Sequence, residues 1–386
     1  MYRLAVLLAI LVAGCSSVTD LKTDISERIF GPEPAFPPAA LVDFKQSASA
    51  KVLWHASVGR ANAYDFTPAG DKSATFAASA DGEIVRLDAA TGRQVWRVSA
   101  GESLSGGVGV GENLVLVGTP KGMVRAFDEN GKALWSSRLS SEVLSAPMAA
   151  GGVVVVRSGD SRIYGLDALD GKRKWVYERA MPSLVLRSSA GVALDGGVAY
   201  AGFAGGKLVA IKADDGKVLW EAAVAQPKGS TEIERIADIT SVPVVDGSVV
   251  YAVAYQGRAA AVDRASGRVM WTRDISSYTG MSTEGSHIYL SHSGGAIYAL
   301  DFRSGKSYWR QGSLLHRQLS APLPVGPYLA VGDLEGYVHF LSRDDGSFVA
   351  RVKTEDSPIM SQLLDLGNST VLAQTRGGGL YAISIK

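Results

Sequence analysis

The sequence has almost no cysteine and no excess of either charge. Of its 386 residues only Cys15 is a cysteine, which excludes an intramolecular disulfide and a zinc site built from several thiolates. The 39 Lys and Arg residues are balanced by 38 Asp and Glu residues. A nucleic-acid-binding protein concentrates basic residues on one surface. The composition therefore predicts no nucleic-acid partner, and stability must come from burial of apolar side chains.

Recognisable catalytic motifs are also missing. The sequence contains no G-x-S-x-G elbow, no P-loop and no H-E-x-x-H metal motif. The five histidines are scattered, and the nearest pair, His287 and His292, stands five residues apart on a strand-like stretch. Side chains at that spacing point to opposite faces of a strand, which makes them poor ligands for one metal ion. We therefore predict a protein that is not an enzyme and that has neither a cofactor nor a metal site.

The N-terminus has the features of a lipoprotein signal. Arg3 is followed by ten apolar residues, 4–13, a run too short to span a bilayer. The sequence LVAGC, 11–15, resembles the bacterial lipobox, and the chain's only cysteine stands where that motif requires it. We predict that residues 1–14 are a signal peptide that is removed and that Cys15 is lipidated. An ordinary signal peptide that happens to end in cysteine is the alternative.

The resemblance to a lipobox also implies a location. Ser16 rather than Asp follows the cysteine, and in this class of lipoproteins that implies sorting to the outer membrane, on its periplasmic face. Residues 15–50 are polar and rich in proline and alanine, which predicts a lipidated N-terminus followed by a flexible tether. Residues 51–386 are then the folded body.

One motif recurs along this body. Its seven complete copies are DGEIVRLDAATGRQVW (81–96), KGMVRAFDENGKALW (121–135), DSRIYGLDALDGKRKW (160–175), GGKLVAIKADDGKVLW (205–220), QGRAAAVDRASGRVMW (256–271), GGAIYALDFRSGKSYW (294–309) and EGYVHFLSRDDGSFVA (335–350). An eighth copy, 377–386, stops before its tryptophan strand, and Trp54 stands alone near the start of the body. Both irregularities are explained if the N-terminal segment supplies the missing strand of the last unit.

The repeat length defines the fold. Residues 51–386 give 42 residues for each of eight units, and each unit shows short runs of alternating apolar and polar residues separated by Gly and Asp turns. This pattern predicts an all-β, eight-bladed β-propeller with four-stranded blades, closed by pairing of the N- and C-terminal segments. A seven-bladed ring followed by a tail is the alternative.

The tryptophan of each repeat is predicted to lie between adjacent blades. In this respect the sequence resembles the tryptophan-docking, PQQ-like repeat of quinoprotein dehydrogenases. Those enzymes typically hold their quinone against a disulfide between neighbouring cysteines, and with Cys15 as the only cysteine such a disulfide cannot form. A quinoprotein-like enzyme or a small-molecule-binding periplasmic propeller remains the alternative to an interaction scaffold.

Two consecutive connections between blades are longer than the others. The distance from the tryptophan to the serine that opens the next blade is 9 to 11 residues in most units, but about 14 after Trp175 and 21 after Trp220. The insertions, MPSLVLRSS (181–189) and GSTEIERIAD (229–238), occupy the same place in the repeat, so they are predicted to form one surface on one face. Thr231 and Glu234 form a capping box that predicts a short helix.

The first insertion combines leucine with arginine, a mixture found in the energetic centres of protein interfaces. The two long segments, together with SLLHRQLSAP (313–322) and VGDLEGYVHFLSRDDGSFVA (331–350), resemble the BamB family of outer-membrane lipoproteins. The alternative for Leu184 and Leu186 is that both fold inward as the core of the loop.

The resemblance implies a non-enzymatic scaffold of the β-barrel assembly machinery, the BAM complex. Such a scaffold binds the POTRA domains of the BamA insertase and assists the folding and insertion of outer-membrane proteins, whose unfolded chains are a second class of partner. Leu184, Leu186, Arg187 and Asp238 match the protein-binding motif of the family. Thr240 stands where relatives often have a second Asp, so a charge is missing there.

Overall fold

Seven of the sequence repeats form four short strands each and the last forms three, because their apolar residues alternate with polar ones and their Gly and Asp positions form the turns. The computed structural model describes residues 37–386. Within them, 32 strands form eight separate four-stranded antiparallel sheets, and residues 41–386 form one compact unit. The described residues contain no helix, and accordingly no helix long and apolar enough to cross a membrane.

The eight sheets are the blades of the propeller, numbered along the chain. Blade 1 contains β2 (Ala69–Gly70), β3 (Ala74–Ala78), β4 (Glu83–Asp88) and β5 (Gln94–Ser99); blade 2 contains β6 (Gly106–Gly111), β7 (Leu114–Gly118), β8 (Met123–Asp128) and β9 (Ala133–Arg138); blade 3 contains β10 (Met148–Ala150), β11 (Val153–Arg157), β12 (Ile163–Asp167) and β13 (Arg173–Tyr177); and blade 4 contains β14 (Val192–Asp195), β15 (Val198–Phe203), β16 (Lys207–Lys212) and β17 (Val218–Ala223).

The second half of the ring repeats this order. Blade 5 contains β18 (Val244–Asp246), β19 (Val249–Val253), β20 (Ala259–Asp263) and β21 (Val269–Arg273); blade 6 contains β22 (Met281–Glu284), β23 (His287–Ser291), β24 (Ile297–Asp301) and β25 (Ser307–Gln311); blade 7 contains β26 (Leu323–Val325), β27 (Tyr328–Gly332), β28 (Tyr337–Ser342) and β29 (Phe348–Lys353); and blade 8 contains β30 (Leu364–Gly367), β31 (Thr370–Gln374), β32 (Gly379–Ile385) and, as its outer strand, β1 (Ala50–Ser57).

Blade 8 closes the ring in the predicted way. β1 pairs antiparallel with β32, from Ala50 opposite Ile385 to Ser57 opposite Gly379. The seven-bladed alternative is therefore wrong, because the last repeat supplies three full strands of its own sheet rather than a tail. The apolar core is divided in the same way as the ring, into clusters that lie between neighbouring sheets.

Tryptophan joins seven of the eight junctions between blades, as predicted. Each indole Nε1–H donates to a backbone carbonyl in a turn of the next blade, over 2.8–3.1 Å, and the pairs are Trp54–Ala89, Trp96–Glu129, Trp135–Ala168, Trp175–Ala213, Trp220–Arg264, Trp271–Phe302 and Trp309–Arg343. Each indole ring lies directly on a glycine of that turn. A β-carbon at Gly216 would come within 2.7 Å of the Trp175 ring, and the φ of +76° at this residue also favours glycine.

The junction between blades 7 and 8 is different, because Ala350 stands in the tryptophan position. Here the segment 41–49, which we call the strap, lies along the outer strand of blade 7. The Phe44 ring stacks on the Phe348 ring with centroids 5.4 Å apart, and the Arg351 guanidinium lies 5.0 Å from the Phe44 ring. These strap residues belong to the segment that the sequence predicts as tether. The division into signal peptide, tether and propeller stays a prediction.

Every outer strand carries a β-bulge at the same place. In blade 4, Ala210 pairs with Trp220 and Ile211 pairs with Val218, so that Leu219 between them is extra. The same slip of one residue occurs in all eight blades, and the extra residues are Leu53, Val95, Leu134, Lys174, Leu219, Met270, Tyr308 and Val349. A bulge twists an edge strand and redirects the side chain at that point.

A charged network is buried inside blade 7. His339 and Asp333 are fully buried, with Nε2 of the histidine 2.9 Å from a carboxylate oxygen of Asp333. Nε of Arg351 donates to the other ring nitrogen, Nδ1, over 3.1 Å. Because Nδ1 accepts a hydrogen bond, the single ring proton belongs on Nε2 and the histidine is neutral. Burial lowers the pKa of His339, and the charge of Asp333 opposes this only in part.

Candidate partner-binding surface

The two long connections leave the same end of the propeller, since both run from the outer strand of one blade to the inner strand of the next. One joins β13 to β14 and contains 181–189, and the other joins β17 to β18 and contains 229–238. Ser183 Oγ of the first donates to Glu232 Oε1 of the second over 3.0 Å. The two loops therefore meet, and we call their joint exposed area the loop surface.

Asp238 is the residue that ties the two loops together. Its side chain is only 5% exposed. One carboxylate oxygen accepts the backbone N–H of Leu186 over 2.9 Å, and the other accepts the backbone N–H of Gly205 over 3.1 Å. Burial of the Arg157 guanidinium lowers its pKa to about 10, and the charge of Asp238 opposes this shift in part. Asp238 thus lies beneath the loop surface and fixes the backbone from below.

The two predicted leucines lie in different environments. Leu184 is 39% exposed and points outward from the loop. Leu186 is half-buried and lines a cavity of about 130 Å³ that also contacts Arg157 and Ser158. The interface interpretation therefore suits Leu184 as an exposed anchor, whereas Leu186 contributes both to the surface and to the packing of the loop.

Arg187 is held in place by a residue that the sequence did not single out. Its Nε and Nη2 donate to the two carboxylate oxygens of Glu142 over 2.9 and 2.8 Å, and its guanidinium lies 5.8 Å from the Tyr64 ring. The hydrogen bonds from Arg187 hold the pKa of Glu142 below its usual range. This bidentate pair is a rigid arrangement that leaves further N–H donors of the guanidinium for another acceptor.

The second loop contains the predicted capping box but not the predicted helix. Thr231 Oγ1 accepts the N–H of Glu234 over 3.2 Å, and Glu234 Oε2 accepts the N–H of Thr231 over 3.1 Å. The prediction of a helix is wrong, because the structure stops after a single turn at 232–235. A helix this short is not stable by itself, and the following residues, Ile236 and Ile239, are buried in the core instead.

Thr240, which stands where the resemblance implies a second Asp in relatives, is 9% exposed, and its hydroxyl donates to the Tyr278 carbonyl oxygen over 3.2 Å, so it joins this loop to the next one. A cavity of about 860 Å³ is lined by inner strands around the ring. Within residues 37–386 no three His, Cys, Asp or Glu side chains form a possible metal site. Cys15 lies outside the described residues.

The fold defines the class of protein, an eight-bladed β-propeller with tryptophan-docked blades. A solved structure of this class, the quinohemoprotein alcohol dehydrogenase from Comamonas testosteroni, superimposes with a TM-score of 0.70, covering 86% of this chain and 76% of that one. At 13% identity this likeness concerns the fold alone. The crystal structure of BamB from Moraxella catarrhalis is more similar, with a TM-score of 0.80 and 27% identity, over 87% of this chain and 100% of that one.

Sequence comparison gives the family. The family described as "Outer membrane protein assembly factor BamB" matches residues 80–311. The outer membrane protein assembly factor BamB of Nitrosomonas eutropha is 43% identical, over 98% of this chain and 93% of that protein. The protein of the same name from Pseudomonas aeruginosa is 41% identical, over 98% and 97%. The chain belongs to the BamB family, which confirms the resemblance found from the sequence.

Proposed function

We propose that this protein is a non-enzymatic scaffold of the outer-membrane β-barrel assembly machinery and that its loop surface binds the POTRA domains of BamA. Similarity over almost the whole chain to proteins named as assembly factors supports the general role. The observation that carries the specific role is the pair of long, mutually bonded loops, which presents an exposed leucine beside a fixed arginine.

The loop surface is organised before a partner arrives. Asp238 holds the backbone at Leu186, and Glu142 holds the guanidinium of Arg187. A partner therefore loses less binding free energy in ordering these side chains, a cost of about 0.5–1.5 kcal/mol for each immobilised side chain. In the proposed complex Leu184 fills an apolar site of the partner. Arg187 bridges Glu142 and an acceptor on the partner, which fixes the orientation of the complex.

The proposed location follows from the N-terminus. Lipidation of Cys15, after removal of residues 1–14, would hold the propeller at the periplasmic face of the outer membrane. Each buried CH₂ of an acyl chain contributes about 0.8 kcal/mol to this anchoring. Replacement of Cys15 by Ala is expected to release the protein from washed outer membranes, and retention of the variant there would contradict the anchor.

The loop surface is tested by capture of the POTRA domains on the immobilised protein. Leu184→Ala and Arg187→Ala are each expected to weaken binding at least tenfold, because such anchors carry about 1.4 kcal/mol or more. Leu169→Ala is the matched control, since this leucine is 90% exposed on a turn at the opposite end of the propeller. Binding that stays unchanged in both loop variants, with folding intact, would refute the assignment.

A further inference from the structure

We propose that the rim of the propeller carries docking sites for extended polypeptide segments and that the strap occupies one of these sites within the chain itself. The sites are the bulges of the outer strands. At the bulges that the strap does not cover, the ligands are segments of unfolded outer-membrane proteins. This inference therefore rests on the proposed function and adds a client-binding surface separate from the loop surface.

The strap shows how a segment binds at a bulge. The N–H groups of two consecutive strap residues, Ser47 and Ala48, both donate to the carbonyl of the bulged residue Val349, over 3.1 and 3.2 Å. Ala48 also packs against the apolar cluster below, and stacking of Phe44 on Phe348 extends the contact. Val349 itself is 6% exposed and belongs to the same apolar cluster.

The same position is open elsewhere on the rim. Six other bulged residues are apolar and 45–51% exposed: Leu53, Val95, Leu134, Leu219, Met270 and Tyr308. Single exposed apolar residues are ordinary on protein surfaces. Here they recur at one position of the repeat, with the backbone geometry that binds the strap in blade 7. Lys174 is the exception in blade 3, where a charge replaces the apolar side chain.

The chemistry of these sites fits unfolded β-barrel chains. A transmembrane β-strand alternates apolar and polar residues, so an extended segment of it offers an apolar side chain at every second residue and unpaired N–H groups along its backbone. The carbonyl of one bulge can accept one such N–H group from an extended segment, or two consecutive ones where the segment bends as the strap does at Ala48, beside one apolar side chain. It cannot continue a hydrogen-bonded ladder, because the extra residue interrupts the pairing of the edge. A contact of this size binds only a short segment and is reversible. Several blades can bind one unfolded chain at several points at once.

Site-specific photo-crosslinking tests the rim sites. A benzophenone side chain is introduced at position 134, 219 or 169 of the full-length lipidated protein, and a urea-unfolded outer-membrane β-barrel protein is diluted into each sample before irradiation. All three native residues are leucines, with Leu134 and Leu219 48% exposed and Leu169 90% exposed, but Leu169 lies on a turn and not at a bulge. Positions 134 and 219 are expected to crosslink to the unfolded chain at least fivefold more than position 169. Equal yields at the three positions would overturn the proposal.

Capture of the POTRA domains by the same three variants, in a separate assay, tests the proposed function independently. Capture of the BamA POTRA domains without preferential crosslinking at 134 and 219 refutes the rim sites alone. Preferential crosslinking without capture refutes the loop surface alone and leaves the rim sites supported. A second variant, Lys174→Leu, restores an apolar side chain at the bulge of blade 3. It is expected to raise crosslinking from a benzophenone at the neighbouring position 176, and an unchanged yield there would contradict the role of the apolar side chain.

Discussion

Replacement of Asp238 by Asn separates a positioning role of this residue from a direct contact with the partner. Both carboxylate oxygens of Asp238 accept a backbone N–H, from Leu186 and from Gly205. The Asn side chain keeps one acceptor oxygen but turns an NH₂ group toward the second donor. One hydrogen bond to a charged group is lost and the other becomes neutral, which costs about 2–4 kcal/mol at about 1.5–3 kcal/mol for each charged bond. The partly compensated charge of Arg157 adds to this cost.

Amide hydrogen exchange measures that loss where it occurs. A change of about 2–4 kcal/mol in the free energy of local opening corresponds to roughly 30- to 700-fold faster exchange. We expect this increase at the amide of Leu186, of Gly205 or of both, together with weaker capture of the POTRA domains. Arg187→Ala is the control, because it should weaken capture without changing exchange at these two amides. If Asp238→Asn abolishes capture while both amides stay protected, the carboxylate acts on the partner directly and the reasoning is wrong.

Three further predictions concern the tryptophan junctions between blades, the buried His339 and the ion pair of Glu142 with Arg187. Trp220→Phe removes the 2.8 Å hydrogen bond to the Arg264 carbonyl and should lower the free energy of unfolding in urea by about 1–2 kcal/mol. Trp220→Ala should lower it by about 3–5 kcal/mol. An alanine variant as stable as the parent would contradict the docking of this tryptophan between blades. The pKa of His339 is lowered in the folded state, so below the ordinary histidine pKa of about 6.5 the unfolded state binds more protons than the folded state. The free energy of unfolding should therefore fall from pH 7 to pH 5 by up to about 1.4 kcal/mol per pH unit. His339→Gln should reduce this slope. Because the pKa of Glu142 is lowered, its ion pair with Arg187 stays intact above the ordinary glutamate pKa of about 4.3 and is lost only as the pH falls through the lowered value. Carboxyl NMR should therefore show no titration of Glu142 between pH 5 and 8. Glu142→Gln should weaken capture of the POTRA domains while changing the free energy of unfolding by less than about 1 kcal/mol.

The ring could be predicted from the sequence because its physical cause is local and repeated. Each tryptophan has its own docking turn, and each turn has its own glycine, so the period counts the blades directly. Even closure could be predicted, since Trp54 lacked a repeat and the last repeat lacked a strand. The prediction of a short helix after Thr231 was wrong because a capping box describes only one end of a helix, whereas burial of Ile236 ends the structure after the single turn at 232–235.

The loop surface could be predicted only in part. Unequal loop lengths identified the segments around Arg187 and Asp238, but nothing in the spacing showed that Asp238 lies under the surface. Glu142 gave no signal, because its loop has ordinary length and its contact with Arg187 joins residues 45 positions apart. The strap was predicted as tether for a similar reason. Its polar, proline-rich surroundings hide a Phe44 whose partner, Phe348, lies 304 positions further along the chain.

The closing strand also determines when the protein can become native. β1 is the first of the described strands in chain order and its partner β32 is the last, so β1 remains unpaired until β32 has been made available to it. Loop closure over more than 300 residues makes this the step with the largest sequence separation, and such steps are slow. Loss of even the last eight residues would remove β32 and leave an open arc with two exposed sheet edges. A chain truncated before β32 is therefore expected to be a substrate for proteolysis rather than a partly active protein.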